Sequence, residues 1–260
     1  MESGGQIREY RIHVPAAYRE DTPAPVVFGF HGNGSSAAAF EEYSGFSSLA
    51  DQAGFIAVYP QGSGEIPTWE INGVTNNLDV IFLRDLIAKL ESECAVDPAR
   101  LYATGHSRGG GMANRLACDL SDRIAAIGPV SGAYPPEGDC FPARPVAVIA
   151  FHGDSDPVIP YNGIGDQKLP PAAYFAIGIP IPQWASAWAS RNGCSAEPAS
   201  ILDEAYLTGR AWSGCRDGAD VVLYTIPGGG HGWPGADSPF DTARMIWNFF
   251  EGHSKPTRSS

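Results

Sequence analysis

The sequence carries little charge, and little of that is basic. Only 18% of its 260 residues are Asp, Glu, Lys or Arg, with 17 Lys and Arg against 29 Asp and Glu, for a formal net charge of -12. Phosphate backbones are gripped by clustered cations, so no nucleic-acid partner is expected. No apolar run approaches the ~20 residues that a membrane-spanning helix needs, so no membrane partner is expected. No internal repeat recurs, which removes solenoids and propellers. No cysteine falls in a C-x-x-C or Cys/His zinc spacing, so neither a metal nor any other cofactor is expected. The chain runs from Met1-Glu2-Ser3 straight into foldable sequence, without the pattern of an export signal.

What is present suffices for a sizeable core, since 43% of the residues are hydrophobic. Five cysteines, Cys94, Cys118, Cys140, Cys194 and Cys215, leave at least one without a partner in the chain. Either all five are reduced, or two disulfides and one leftover thiol require an oxidising compartment. Cys194 and Cys215 bracket a polar loop and are the favoured pair.

Short apolar runs at residues 25–30, 55–59, 100–104, 124–130, 145–151 and 221–226 read as strands, most of them buried on both faces. An alternating stretch at 7–14 reads as an edge strand. Helical spacing or capping residues mark helices at 35–52, 77–93, 109–120, 181–192 and 242–250. Strands alternating with helices imply an α/β fold: a mostly parallel, doubly wound sheet with helices on both faces. Residues 1–251 are expected to form a single catalytic domain and 252–260 a disordered tail. Ligands of such sheets bind beyond the carboxyl ends of the strands, so the chemistry belongs in the loops that follow strands.

Gly105-His106-Ser107-Arg108-Gly109 sits between the strand at 100–104 and the helix at 109–120. The G-x-S-x-G pentapeptide is a weak signal alone and a strong one in this strand–turn–helix context. The turn is sharp and strained at the serine, so residues two positions away must be nearly free of side chain. The turn lifts the Ser107 hydroxyl into the cleft and sets the Arg108 amide at a helix N-terminus, where it can stabilise an oxyanion. A nucleophile on such a turn takes its partners in the order Ser, Asp or Glu, His. Of six histidines, only His231 follows a late strand and precedes the last helix, in Gly228-Gly229-Gly230-His231-Gly232-Trp233-Pro234. The acid should follow the strand at 145–151, where Asp154 and Asp156 both stand; Asp156 is preferred, and Asp154 can bond backbone amides of the turn. The second oxyanion donor should come from the loop Phe30-His31-Gly32-Asn33-Gly34, with the Asn33 amide favoured and Gly32 close by.

With these stretches in place, and with residues 96–105 and Phe151-His152-Gly153 through Asp156-Pro157-Val158, the chain resembles the secreted feruloyl esterase and polyhydroxybutyrate depolymerase-type family of α/β-hydrolases. The resemblance covers most of the chain, from about residue 26 to 247. It implies an α/β-hydrolase fold, the triad Ser107, Asp156 and His231, and export of the protein. It also implies a Cys194–Cys215 disulfide and a Cys118 bridge to either Cys94 or Cys140. The family acts on feruloylated plant polysaccharide, acetylated xylan and polyesters, so the expected substrate is a feruloyl ester, either small or linked to a polysaccharide, with polyester or acetylxylan as alternatives. Family members often carry a smaller uncharged residue where Arg108 stands.

The substrate-binding set is expected to include Gly32, Trp69, Tyr161, Trp184 and Trp233. The apolar insertion between Tyr161 and Trp184 reads as a wall or lid, against which an aromatic acyl group could stack. The expected mechanism is acyl transfer through a covalent intermediate in a monomeric enzyme. A carbohydrate-binding protein that kept the fold without activity is disfavoured by the three intact triad residues.

Overall fold

The computed structural model describes residues 1–135, 140–163 and 179–256. A small hairpin, β1 (Glu2–Ser3) with β2 (Gln6–Ile7), precedes the main sheet. That sheet contains β3 (Tyr10–His13), β4 (Ala24–Phe30), β5 (Ile56–Pro60), β6 (Val96–His106), β7 (Ala126–Val130), β8 (Ala147–Gly153), β9 (Ala199–Glu204), β10 (Leu207–Trp212) and β11 (Val221–Ile226). Its order is β3-β5-β4-β6-β7-β8-β11-β10-β9. The strands from β5 through β11 pair parallel, while β3 at one edge and β10 and β9 at the other pair antiparallel.

Side chains alternate across this sheet with a period of two, as strand geometry demands. Val26, Phe28 and Phe30 face one side, where α3 (Leu78–Glu93), α4 (Arg108–Asp119) and α5 (Ile181–Asn192) close the core with Leu86, Met112 and Trp188. Val27, Tyr102 and Ile149 face the other, under α1 (Ala37–Ser44), α2 (Phe46–Ala53) and α6 (Thr242–Glu251), which contribute Phe40, Leu49 and Phe250. Each face is dry, which is why these strands read as continuous apolar runs rather than as alternating ones. Among the described residues no helix is long and apolar enough to cross a membrane.

Chain order reverses between β4 and β6. From β4 the chain moves outward to β5, then crosses back through α3 to β6 on β4's other side. A crevice opens at such a switch point, outside the carboxyl ends of the two strands. The loop after β4 carries Gly32 and Asn33, and the turn after β6 carries Ser107.

Four local readings differ from the sequence expectation. The helix anticipated at 35–52 is two helices, because Gly45 adopts φ 73° and breaks it; Ser36 caps the first by accepting from the Ala39 amide. The polar stretch after residue 192 holds the β9–β10 hairpin; β9 is exposed apart from half-buried Leu202 and shows no apolar alternation to betray it, while β10 buries Leu207 and Trp212. The Asp97-Pro98 turn lies inside β6 as an irregularity, where Asp97 accepts from the Ala99 amide and pairs with Arg100. The start of the tail is fastened rather than loose: the Tyr102 hydroxyl donates to the His253 carbonyl, and the Lys255 amide donates to Ala99.

Two disulfides are present. Cys194–Cys215 joins the end of α5 to the turn after β10, and Cys118–Cys140 joins the end of α4 to the segment before β8. Cys94 is left as a half-buried free thiol, which resolves the choice of partner for Cys118.

Candidate active site

Ser107 is the residue between β6 and α4, at φ 57° and ψ -121°. A side chain seldom adopts such a backbone, and three hydrogen bonds impose it here. Its amide donates to the Val130 carbonyl at 3.0 Å, and its own carbonyl accepts from the amides of Gly111 and Ala133 at 3.1 Å. The two flanking glycines are sterically required. A Cβ on Gly105 would lie 2.5 Å from Gly109 backbone, and one on Gly109 would lie 2.1 Å from the Phe30 carbonyl oxygen. The same closeness sets the β4 loop against the turn: a Cβ on Gly32 would sit 3.5 Å from the Ser107 Cβ.

Asp156 follows β8 and its carboxylate is buried. Oδ2 accepts from His231 Nδ1 at 2.8 Å, and Oδ1 accepts from the amides of Val158 and Ile159 at 2.8 and 2.9 Å. Burial pushes this carboxyl upward, but bonds from His152, His231 and the two amides outweigh it and hold it well below the usual carboxylate range. It therefore stays ionised and fixes the imidazole with Nδ1 protonated, leaving Nε2 as the basic nitrogen. Asp154 does something else. Its Oδ1 accepts from the Gly228 amide at 2.7 Å and so ties the acid turn to the loop that carries His231.

That loop is held at several further points. A Cβ on Gly153 would stand 2.1 Å from the Gly229 carbonyl oxygen, so the two loops touch backbone to backbone. Ser131 Oγ donates to the Gly232 carbonyl, and the Trp233 amide donates to the Tyr43 hydroxyl at 2.9 Å. The ring of His106, the residue before Ser107, lies 4.7 Å between centroids from the ring of His231. Among the described residues no direct hydrogen bond joins Ser107 Oγ to His231; such contacts are often long without substrate and tighten in its complex.

The two oxyanion candidates flank the same space. Asn33 is exposed and lines, with Gly32 and Ser107, a cavity of about 600 Å³. Arg108 opens α4, so its amide lies in the first turn of a helix, where the macrodipole favours negative charge. Its guanidinium does not stand free beside Ser107. It is half-buried and donates from Nε to the Trp69 carbonyl at 2.7 Å.

The aromatic substrate-binding candidates are mostly buried. Trp69 is fully buried, with Nε1 donating to the His31 carbonyl and its ring packed edge-on against Phe30. It supports the β4 loop from beneath rather than facing a ligand. Trp184 is buried too, stacked on Tyr134 and bonded to Asn114. The ring of Trp233 is buried between Phe40 and Phe46, although its backbone lines the cavity beside His231. Tyr161 is half-buried, with its hydroxyl bonded to Thr225. Of the apolar insertion, residues 164–178, with Tyr174 and Phe175, lie outside the described residues, while Ile181 is buried at the start of α5.

Three residues of the site were missed in the sequence. His152 is buried, with Nε2 2.9 Å from the Ile159 carbonyl and 3.3 Å from Asp156 Oδ2. Its place at a strand end just before the acid was a usable signal. His106 forms part of the cavity wall beside Ser107. Tyr43, on α1, carried no signal at all. Among the described residues no group of three or more His, Cys, Asp or Glu side chains is arranged to hold a metal ion.

Comparison with known proteins gives related chains. One designated an esterase, NocK of Nocardia uniformis subsp. tsuyamanensis, is 31% identical over 92% of this chain and 74% of its own length. Feruloyl esterase B of Piromyces equi is 32% identical over 96% of this chain, which spans 46% of that enzyme's length. Among solved structures, an acetyl xylan esterase from Aspergillus awamori superposes with a TM-score of 0.66 over 93% of both chains, at 19% identity, and so shares the fold. No protein-family model matches the chain.

Proposed function

The chain belongs to the feruloyl esterase-like family of α/β-hydrolases and is a carboxylic ester hydrolase, and from that premise we propose that it cleaves hydroxycinnamoyl esters of plant cell-wall polysaccharide with Ser107, His231 and Asp156 as its catalytic triad. The observation that carries this reading is the 2.8 Å contact between His231 Nδ1 and a buried, ionised Asp156, at the same end of the sheet as the strained Ser107 turn. His231 Nε2 takes the proton of Ser107 as Oγ attacks the ester carbonyl. The amides of Arg108 and Asn33 bind the oxyanion. His231 then hands the proton to the departing alcohol oxygen. Water repeats the sequence on the acyl-enzyme, which releases the acid and restores Ser107.

The substrate class rests on the names of the relatives, several of which are feruloyl esterases. Export is part of the same proposal, supported by two disulfides that persist in an oxidising compartment. The test is a panel of methyl ferulate, a short-acyl nitrophenyl ester and a polyester film, run with wild type and Ser107→Ala. Fastest turnover of the ferulate, lost in Ser107→Ala, is the expected result. Faster turnover of the acetyl ester or the film would assign another substrate, and labelling of Ser107→Ala by a fluorophosphonate would displace Ser107 as nucleophile.

A further inference from the structure

Two cavities flank Ser107 and His231, and one residue belongs to both. The larger, about 600 Å³, contains Ser107 and Gly32 and has apolar walls from Phe40, Tyr43 and Val158. The smaller, about 340 Å³, is lined by Ile226, by the His231 loop from Gly229 to Pro234, and again by Tyr43. An apolar chamber beside the nucleophile and the candidate oxyanion amides suits an acyl group.

Tyr43 is 51% exposed, although its helix neighbours Phe40 and Ser44 are buried. It is nevertheless fixed. Its hydroxyl accepts from the Trp233 amide at 2.9 Å, and its ring meets His106 edge-on with centroids 5.8 Å apart. A tyrosine held at both ends presents its ring with little rotamer entropy left to lose on binding. The wall beside it is neutral, because burial, reinforced by nearby His231, lowers His106 to about 4.

We propose that Tyr43 determines acyl specificity: its ring stacks on the aromatic ring of a hydroxycinnamoyl group seated in the larger cavity, while its hydroxyl keeps the His231 loop in register. The inference rests on the acyl-transfer reading given above. Its two parts separate by mutation. Tyr43→Phe keeps the ring and loses the tether; Tyr43→Leu and Tyr43→Ala lose both.

The experiment measures kcat and KM for methyl ferulate and methyl butyrate, which share a leaving group, in wild type and the three variants. Aromatic stacking predicts that Tyr43→Leu and Tyr43→Ala lower the ferulate-to-butyrate ratio of kcat/KM by roughly three- to tenfold. Tyr43→Phe should leave that ratio within about twofold of wild type and lower kcat for both esters alike, as the base loop loosens. Leu and Ala variants that reduce both esters in equal proportion would overturn the stacking role while leaving the esterase reading intact. A Phe variant that shifts the ratio as far as Ala would assign the preference to the hydroxyl and overturn the role of the ring. A wild-type enzyme that cleaves butyrate but not ferulate would overturn the substrate reading and this inference together.

Discussion

Ser107 holds its strained backbone for the sake of the turn, and that can be measured as stability. A residue forced into a sparsely populated backbone region costs about 1–3 kcal/mol. At φ 57° and ψ -121° the conflict involves the Cβ, and the side chain makes no capping bond to α4 that would be lost with it. Ser107→Gly therefore removes the strain and forfeits no such bond. Against this, glycine adds freedom to the unfolded chain worth about 0.4–1 kcal/mol. The difference leaves Ser107→Gly more stable than wild type by about 0.5–2 kcal/mol. Ser107→Ala keeps the Cβ and the strain, and should melt close to wild type. In a chain this long ~1 kcal/mol moves the midpoint by about 2–4 °C, so the glycine variant should melt about 1–8 °C above the alanine variant. The assay is thermal unfolding of the three proteins by circular dichroism, with ester hydrolysis measured alongside; both variants should be inactive. An alanine variant stabilised as much as the glycine variant would locate the strain in the hydroxyl rather than in the backbone. A glycine variant that melts below alanine would refute the strain argument.

Asp156→Asn should lower kcat by about 10³–10⁴-fold with little change in KM, because an amide facing Nδ1 favours the wrong imidazole tautomer. Its folded-state depression also fixes a pH dependence: the stability Asp156 contributes is full above about pH 4 and is lost as pH falls toward the lower folded value, so acid melts of the Asn variant should be flatter than wild type in that range. Gly153→Ala forces the Gly229 carbonyl away and with it the His231 loop; kcat should fall about 10–100-fold in steady-state assays while the fold persists in circular dichroism. Replacing Cys194 and Cys215 by Ser opens a link between residues 21 apart, which chain entropy values at about 3 kcal/mol, so thermal unfolding should shift down by about 6–12 °C.

The parallel middle of the sheet was legible because burial on both faces leaves an unmistakable record. Val26-Val27-Phe28 and Val146-Ala147-Val148-Ile149 admit no polar residue, since either orientation is dry. The β9–β10 hairpin left no such record. Residues 199, 200, 201, 203 and 204 are exposed, so little selected for alternation there, and pairing with β10, itself paired to β11, is what orders them. The start of the tail, residues 252–256, hides its contacts for a related reason. Its composition is polar, and bonds to the Tyr102 hydroxyl and the Ala99 carbonyl, more than a hundred residues earlier, hold residues 253 and 255.

The site divides along the same line. Ser107, Asp156 and His231 stand out in the sequence because each carries a local device: glycines two residues either side of the serine, a turn whose two amides bond the Asp156 carboxylate, a glycine-flanked loop around His231. Those devices are written in adjacent residues. Whether an aromatic ring faces a ligand is not. Trp69 stands in a loop after a strand, as a binding residue should, yet its indole N–H reaches the His31 carbonyl, which removes the polar cost of burying it and turns it into a support. Tyr43 is the converse. Its segment reads only as helix, and what exposes its ring at the cleft is a hydrogen bond to the amide of a residue 190 positions later. A contact of that range is set by packing of the whole chain. Specificity in this enzyme is therefore written at a longer distance than its chemistry, and the residues that choose the acyl group should vary independently of those that cleave the ester.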